Sequence, residues 1–424
     1  MIDAVLRNAG ILRFTSGEEL FNAAEFFEGQ PLPGGRRVGI VSNSTGVATL
    51  AADGCMTRGL VIGELDEGAR NPLVLGIHAD PEAYAKGIRS MLGDAGIDAV
   101  IACFADLAGG DPRTVLDAAT EQSKPVVASV VTADGRLPAD GPVGLPNFLF
   151  PESCSAVLAR GAERRAWLSR PVGQRPMHDD IDHTAAGVLL AAQLQADGTS
   201  WLGTADGAAL LATHGIATVA SHRCEDVEAV VAAAERIGGP IALKADFPAP
   251  GHAGDIDAVL LGLAGQEAAR AGWRELERRV QAAGRPWIGA LVQPFVGAGA
   301  DVLVGAVRDP DFGPVMAIGL GGRQAGLARA VAFRMLPVTG EEGDELIDAS
   351  ESVATQLAGF RGSPRVDRPA LRDVILRFAE LLRGSPEIVE ADLNPVRCMP
   401  KGCVVLDLRM RIARQQPIER VKTW

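Results

Sequence analysis

The chain has 424 residues, 47% hydrophobic and only 4% aromatic, with a formal net charge of −12. That length suffices for two or three domains with ordinary apolar cores. The acidic balance, the lack of a long Lys/Arg run and the scarcity of aromatic stacking platforms exclude a nucleic-acid or anionic-membrane surface as the expected role.

The six cysteines, at 55, 103, 154, 224, 398 and 403, form no Cys-x-x-Cys pair, so no structural zinc site is expected. No basic start leads into an apolar core, and no apolar run reaches about 18 residues. The expected setting is therefore cytoplasmic, with free thiols and no membrane partner.

Taken in chain order, residues 1–33 read as a helix or two ending in the Pro/Gly boundary "GQPLPGG". From 36 the pattern changes. "RRVGIVSNS" is a strand running into a small polar loop, and "GVATLAADGCMTRGL" is a helix with a Gly stop. "DAVIACF", "KPVVASVV" and "PNFLF" are further short apolar runs, with helical stretches such as "PEAYAKGIRSMLGDAG" between them. Strands alternating with helices imply a parallel sheet covered on both faces. Residues 34–160 are thus expected to be one doubly wound α/β domain. "RGAERRAWLSRPVGQRPMHDDIDH" lacks apolar periodicity, and 161–184 reads as a linker. His178 and His183 within it are expected at the surface.

Residues 185–424 read as a second, α+β domain. Helices "TADGAALLATHGI" and "EDVEAVVAAAERIG" precede strands "PIALKAD", "IGALVQPFV" and "ADVLVGAVRD". A Gly-rich segment, a long helix near 366–383 and a closing hairpin follow.

That hairpin, "EIVEADLNPVRCMPKGCVVLDLR", sets Glu390, Asp392 and Asn394 at every second position, the period of a half-buried strand. "MPKG" reads as its turn. With Pro400 and Lys401 at the turn centre, Asn394 faces Asp407, Asp392 faces Arg409 and Cys398 faces Cys403. Oxygen ligands so placed suit a hard cation such as Mg²⁺; an amphipathic hairpin with a wet polar face satisfies the same spacing.

Three other stretches carry chemistry. The loop "SNSTG" (Ser42, Asn43, Ser44, Thr45, Gly46) opens a helix, where backbone N–H groups favour an anion; a purely structural turn satisfies the same pattern. Lys244 ends an apolar strand and needs a counter-charge, which nucleotide phosphates would supply. His252 sits in a Gly/Pro loop, either solvated or placed to carry a phosphoryl group. The break in "LVQPFVGAGADVLVG" is open to an adenine hinge, though its spacing does not demand one. "GLGGRQAG" fits neither the Gly-x-Gly-x-x-Gly register nor a P-loop.

Together these stretches resemble the C-terminal part of the NDP-forming acyl-CoA synthetases, relatives of succinyl-CoA synthetase, over nearly the whole chain. "IDAVLRNAGILRFTSGEELFNAAEFF" is similar to the family's entry into its third domain, and "RRVGIVSNSTGVATLAADGC" to its ligase-domain strand, loop and helix. "LVQPFV", "VGAVRDPDFGPVMAIGLGG" and "AVAFRMLPVT" resemble its ATP-grasp core. "EIVEADLNPV" through "VVLDLRMRI" resembles its Glu-x-Asp-x-Asn-Pro and final Asp strand.

The resemblance implies a flavodoxin-like domain followed by an ATP-grasp domain. It implies that Lys244, Gln293, Phe295 and Val296 bind ATP and that Asn394 and Asp407 hold Mg²⁺, with Asp392 as a further metal candidate. It also implies that His252 carries phosphate and that Ser42 to Gly46 cradle the phosphohistidine.

The chain departs from the family's pattern in places. Ala253 and Gly254 replace the Lys and Ser of the histidine loop, and Asp257 and Ala258 its paired glycines. Pro294, Asp301, Gly326 and Ala330 stand where glutamates are usual. The family's CoA-binding Rossmann domain and principal histidine loop would lie before Met1. The implied function is therefore an ADP-forming acid–CoA ligase subunit that takes ATP and a carboxylic acid or acyl-phosphate, with CoA supplied through a partner subunit or a homo-oligomer. A nucleotide-binding regulatory protein, and an ATP-grasp ligase making amides or esters, are the alternatives.

Overall fold

The computed structural model describes residues 2–65, 70–105, 124–131, 145–171, 173–194, 198–247, 257–322 and 331–414. The chain divides into two compact units, Ala9–Val172 and Met1–Asn8 with Gly173–Trp424.

In the first unit, β1 (Arg37–Ser42), β2 (Val61–Ile62), β3 (Leu73–Val74), β4 (Ala99–Ala105), β5 (Val126–Val131) and β6 (Asn147–Phe148) form a parallel sheet in the order β2-β1-β4-β5-β6, with β3 also on β1. β4 is buried along its whole length, as a strand covered on both faces must be. Alternate residues serve opposite faces. Val38, Ile40, Ile101 and Val127 pack with the helices Thr45–Thr57 and Pro151–Leu168. Val41, Val100, Ala102, Val126 and Ala128 pack with the helix Pro81–Gly93.

β2 and β3 share one edge of β1, and the gap between them is filled by a side chain. Asn71 accepts from the Ile40 N–H at 3.0 Å and donates to Val38 O at 2.9 Å and Gly63 O at 2.8 Å.

Among the described residues the helices in chain order are α1 (Ile2–Asn8), α2 (Gly17–Gly29), α3 (Thr45–Thr57), α4 (Pro81–Gly93), α5 (Pro151–Leu168), α6 (His183–Gln193), α7 (Thr204–Ala212), α8 (Val227–Ile237), α9 (Gly265–Ala282), α10 (Gly340–Ala349), α11 (Glu351–Leu357) and α12 (Arg368–Gly384). Residues 161–168, read from sequence as linker, prolong α5. The buried face there consists of Gly161 and Ala162, and Gly161 lies so close to Phe26 that an added Cβ would stand 2.8 Å from its ring. Small residues make that contact, so the stretch shows no apolar period.

Among the described residues the second unit holds two antiparallel sheets. The smaller has the order β10-β9-β11-β8, from β8 (His222–Cys224), β9 (Ile241–Asp246), β10 (Val259–Leu263) and β11 (Gly289–Pro294). α8 and α9 cover one face of it. The larger has the order β14-β13-β12-β15-β17-β7, from β7 (Thr199–Trp201), β12 (Ala300–Asp309), β13 (Gly313–Leu320), β14 (Ala332–Met335), β15 (Ile388–Cys398) and β17 (Leu408–Ala413), with β16 (Cys403–Val405) on β15. α12 packs on it through Leu371, Ile375 and Phe378.

The register of the closing hairpin is the one the turn predicts. Cys398 pairs with Cys403, Leu393 with Leu408 and Asp392 with Arg409. Among the described residues no helix is long and apolar enough to cross a membrane.

Candidate nucleotide site

The "PIALKAD" strand explains the cleft. Ile241, Leu243 and Ala245 point into the core shared with α8 and α9. Period two therefore sends Ala242, Lys244 and Asp246 to the other face. In register across the sheet, Leu291 of β11 lies between Lys244 of β9 and Arg223 of β8. β15 does the same from the opposite side: Ala391, Leu393, Val396 and Cys398 join the α12 core, which leaves the face bearing Glu390, Asp392 and Asn394.

Between the two sheets lies a cleft of about 490 Å³, whose lining includes Lys244, Asp246, Gln293, Asp407 and Arg409.

Lys244 is 7% exposed. Its ammonium donates to Leu406 O at 2.8 Å and stands 3.5 Å from Asp407 Oδ2. The counter-charge that this buried lysine requires thus comes from the last acid of the hairpin. Gln293 is also buried; its Nε2 donates to Ser221 Oγ at 2.7 Å and to Leu406 O at 3.2 Å. Leu406 O therefore ties both side chains to the short link between β16 and β17 that presents Asp407.

Arg223 pairs with Asp246 at 3.0 Å, yet burial still raises the Asp246 carboxyl above its ordinary pKa, with Arg223 opposing that shift. The Arg409 guanidinium lies over the Trp201 ring, 4.2 Å from its centroid. α7 starts at the cleft behind Gly203, a cap residue that supplies no side-chain hydrogen bond. Its first N–H groups and dipole favour an anion. Gly207 permits this placement, because a Cβ there would stand 2.2 Å from Leu408 Cδ1.

Of the three candidate metal ligands, Asp407 lines the cleft, while Asn394 and Asp392 are not among its lining residues. The Asn394 backbone N–H donates to Asp407 O at 3.0 Å. Its side-chain oxygen accepts from the Gly322 N–H at 2.9 Å, which leaves a second lone pair for a cation. Carboxylate and carboxamide oxygens are hard donors of the type Mg²⁺ takes, usually one or two from protein with the rest from water and phosphate. The donor chemistry therefore fits that ion.

The Gly-rich segment acquires a packing reason here. A Cβ on Gly321 would stand 2.7 Å from the Val302 carbonyl carbon, and Gly322 has φ +61°. Only glycine lets the chain pass there and hand its N–H to Asn394.

Phe295 and Val296 are outside the cleft lining. The Phe295 N–H is taken by Pro240 O at 2.9 Å, and Val296 O accepts from Arg397 at 3.2 Å. Asp301, at a position where the family has glutamate, pairs with the same Arg397. His252, Gly326 and Ala330 lie outside the described residues.

Ser42, Asn43, Ser44, Thr45 and Gly46 belong to the other unit. There the Asn43 amide exchanges two 2.9 Å hydrogen bonds with the backbone of Ala105. Ser42 Oγ donates to Ser44 O at 3.0 Å and accepts from its N–H at 3.1 Å. Ser44 caps α3 without a side-chain hydrogen bond, so the first turn at Thr45 and Gly46 keeps N–H groups available to an anion.

Sequence reasoning missed Ser221, Arg223, Asp246 and the Trp201–Arg409 pair. Arg223 and Asp246 carried a signal, as charged residues on strands whose alternate positions are apolar. Ser221 and Trp201 carried none, since they enter only through chain crossings.

Residues 193–412 match the family model for an ATP-grasp domain. A 4-hydroxybutyrate–CoA ligase [ADP-forming] of Nitrosopumilus maritimus is 26% identical over 96% of this chain and 62% of its own length. The beta subunit of acetate–CoA ligase [ADP-forming] I of Pyrococcus furiosus is 31% identical over 47% of this chain and 87% of its own. Among solved structures, the dinucleotide-forming acetyl-coenzyme A synthetase 1 of Ca. Korarchaeum cryptofilum, in complex with coenzyme A and Ca-AMPCP, is 30% identical over 55% of this chain and all of that chain, with a TM-score of 0.49. The chain spans about three fifths of the length of the full-length ligases it matches. It belongs to the ATP-grasp family of the ADP-forming acid–CoA ligases.

Proposed function

We propose that this chain binds Mg-ATP in the cleft between its two antiparallel sheets and supplies the nucleotide-handling part of an ADP-forming acid–CoA ligase. The carrying observation is that Lys244 and Gln293 both donate to Leu406 O while the Lys244 ammonium also faces the Asp407 carboxylate, within one cleft. In this reading, Lys244 exchanges its contact with Asp407 for nucleotide phosphate. Gln293 holds the Leu406–Asp407 link in place while that exchange occurs. Asp407, with its backbone partner Asn394, would hold the metal; Asp392 lies two residues before Asn394 on β15. A bound Mg²⁺ would neutralise phosphate charge, the main requirement of phosphoryl transfer.

Arg409, held on Trp201, and the first turn of α7 add positive potential where the phosphates would lie. Phe295 and Val296, assigned to ATP by the resemblance, lie outside the lining of this cleft. Ser42 to Gly46, at the start of α3, form an anion-binding turn for the phosphorylated intermediate, and His252 is the residue proposed to carry it.

Thioester formation needs CoA held beside an acyl-phosphate, and such positioning is worth about 7–11 kcal/mol of barrier. The relatives carry more than a third of their length beyond the region this chain matches. Others are named as separate alpha and beta subunits. We therefore assign CoA binding to a partner subunit, with a carboxylic acid as the second substrate.

The test is calorimetric titration of the purified chain with Mg-ATP, followed by an ADP-release screen over carboxylic acids with and without CoA. Binding of Mg-ATP is expected, and CoA-dependent ADP release only after a CoA-binding partner is added. Absence of ATP binding would overturn the reading. ATP binding with no turnover under any acid and partner would favour a regulatory nucleotide-binding protein, and acid-dependent ADP release without CoA an amide- or ester-forming ligase.

A further inference from the structure

The hairpin that presents Asp407 also presents two thiols. Cys398 on β15 and Cys403 on β16 are cross-strand partners. The next pair outward, Met399 and Gly402, is hydrogen-bonded from Met399 N to Gly402 O at 3.0 Å. Bonded and non-bonded pairs alternate along an antiparallel ladder, so Cys398 and Cys403 form a non-hydrogen-bonded pair, the type with Cα atoms about 4.5 Å apart and side chains closest. A disulfide spans Cα separations of about 4.4–6.8 Å, so this pair lies in range without backbone movement.

The hairpin tip is also held still. Asp367, the cap of α12, accepts from the Gly402 N–H through Oδ2 at 2.9 Å and donates its own N–H to Met399 O at 2.8 Å. All six cysteines lie among the described residues; five are buried and Cys403 is the partly exposed one. Burial pushes the Cys55 thiol up to about 12 and raises Cys103 and Cys154 further, which keeps them inert. The Cys398 thiol is raised by its hydrogen bond to Cys403 and by burial, so it acts second.

We propose that Cys398 and Cys403 are a reversible oxidation site, a cross-strand dithiol that peroxide converts to a disulfide on the strand leading into the nucleotide cleft. The partly exposed Cys403 attacks hydrogen peroxide as thiolate, taking one oxygen to become a sulfenic acid and releasing hydroxide. The Cys398 sulfur then attacks the Cys403 sulfur, and the sulfenic oxygen leaves as water with the Cys398 proton. The sum is two thiols and one peroxide giving one disulfide and two waters, and a dithiol such as dithiothreitol reverses it. Because Leu406 and Asp407 follow within four residues and the strands need not move, the oxidised chain keeps its nucleotide site.

Trypsin makes the test direct, because it cuts after Arg397, Lys401 and Arg409 and so places the two cysteines on separate peptides, 398–401 and 402–409. The reduced chain is treated with near-stoichiometric hydrogen peroxide, alkylated and mapped. The expected product is these two peptides joined by a disulfide, lost on dithiothreitol treatment, with Cys55, Cys103, Cys154 and Cys224 alkylated only after unfolding. Cys403→Ser should give no cross-link and leave Cys398 reduced, whereas Cys398→Ser should stop at a sulfenic acid on Cys403 that dimedone traps. Two free thiols after peroxide, or Cys403 driven to sulfinic acid beside a free Cys398, would overturn the proposal. Mapping reads the bond whether or not the cleft binds ATP. If it does, oxidised and reduced chains should bind Mg-ATP within about twofold, and a loss beyond about tenfold would refute the claim that the bond forms without moving the strand.

Discussion

Replacing Lys244 with Met separates its charge from its packing. The Met side chain keeps an unbranched apolar stem in a site where Lys244 is 7% exposed but removes the donor to Leu406 O and the charge 3.5 Å from Asp407 Oδ2. Leu406 O keeps the Gln293 contact at 3.2 Å, so no carbonyl is orphaned. Asp407 has 19% side-chain exposure and reaches water, so the fold should lose less than a fully buried broken pair costs. The nucleotide should lose more. A unit charge near 4 Å from phosphate is worth about 4 kcal/mol at an effective dielectric of about 20. Desolvation and the lost pairing with Asp407 reduce this to the range of a charge-assisted hydrogen bond, about 1.5–3 kcal/mol. Mg-ATP affinity should fall about 10- to 150-fold. Calorimetry at about 0.15 M salt keeps long-range charge effects small. Adenosine, which lacks phosphates, should bind the variant as it binds the parent, and a melting curve checks the fold. Unchanged ATP affinity, or an equal loss for adenosine and ATP, would refute the assignment of Lys244 to the phosphates.

Asp407→Asn should weaken ATP binding in the presence of Mg²⁺ and change it little in EDTA, and Asn394→Ala should show a smaller version of the same pattern; equal loss with and without metal would return the hairpin to a purely structural role. Asn71→Ala removes three hydrogen bonds on the β1 edge and should cost about 2–3 kcal/mol, read as lost hydrogen-exchange protection at the Ile40 amide and a lower urea midpoint. His214 is buried, and burial first, then the neighbouring His183, lowers its pKa from 6.5 to about 4; Asp182, Glu380 and Arg377 also face it. Its unfolded form therefore binds more protons than the folded form between those values, so stability is full above pH 6.5 and declines as pH falls toward 4, by up to about 3 kcal/mol. His214→Phe should flatten that slope in urea unfolding, and an unchanged slope would assign the acid sensitivity elsewhere.

The sequence by itself determined whatever depends on near neighbours along the chain. Strand alternation in "PIALKAD" and "EIVEADLNPV" set which side chains leave the core, because period two follows from the pleat. The "MPKG" turn set the hairpin register, and with it the pairings of Cys398 with Cys403 and Asp392 with Arg409. The parallel sheet followed from apolar runs separated by helices. α9 was missed in the sequence, because the many charges of Gly265–Ala282 hide the buried stripe of Ala269, Gly272, Leu276 and Val280. What the tertiary structure decided is which distant strands meet. Lys244 needed a counter-charge, but only the stacking of one sheet against the other places Asp407, 163 positions later in the chain, beside it. That same stacking brings Gln293 to Leu406 O and sets Arg409 over Trp201. Local propensity carries no information about a contact whose loop-closure entropy is recovered only when whole cores pack.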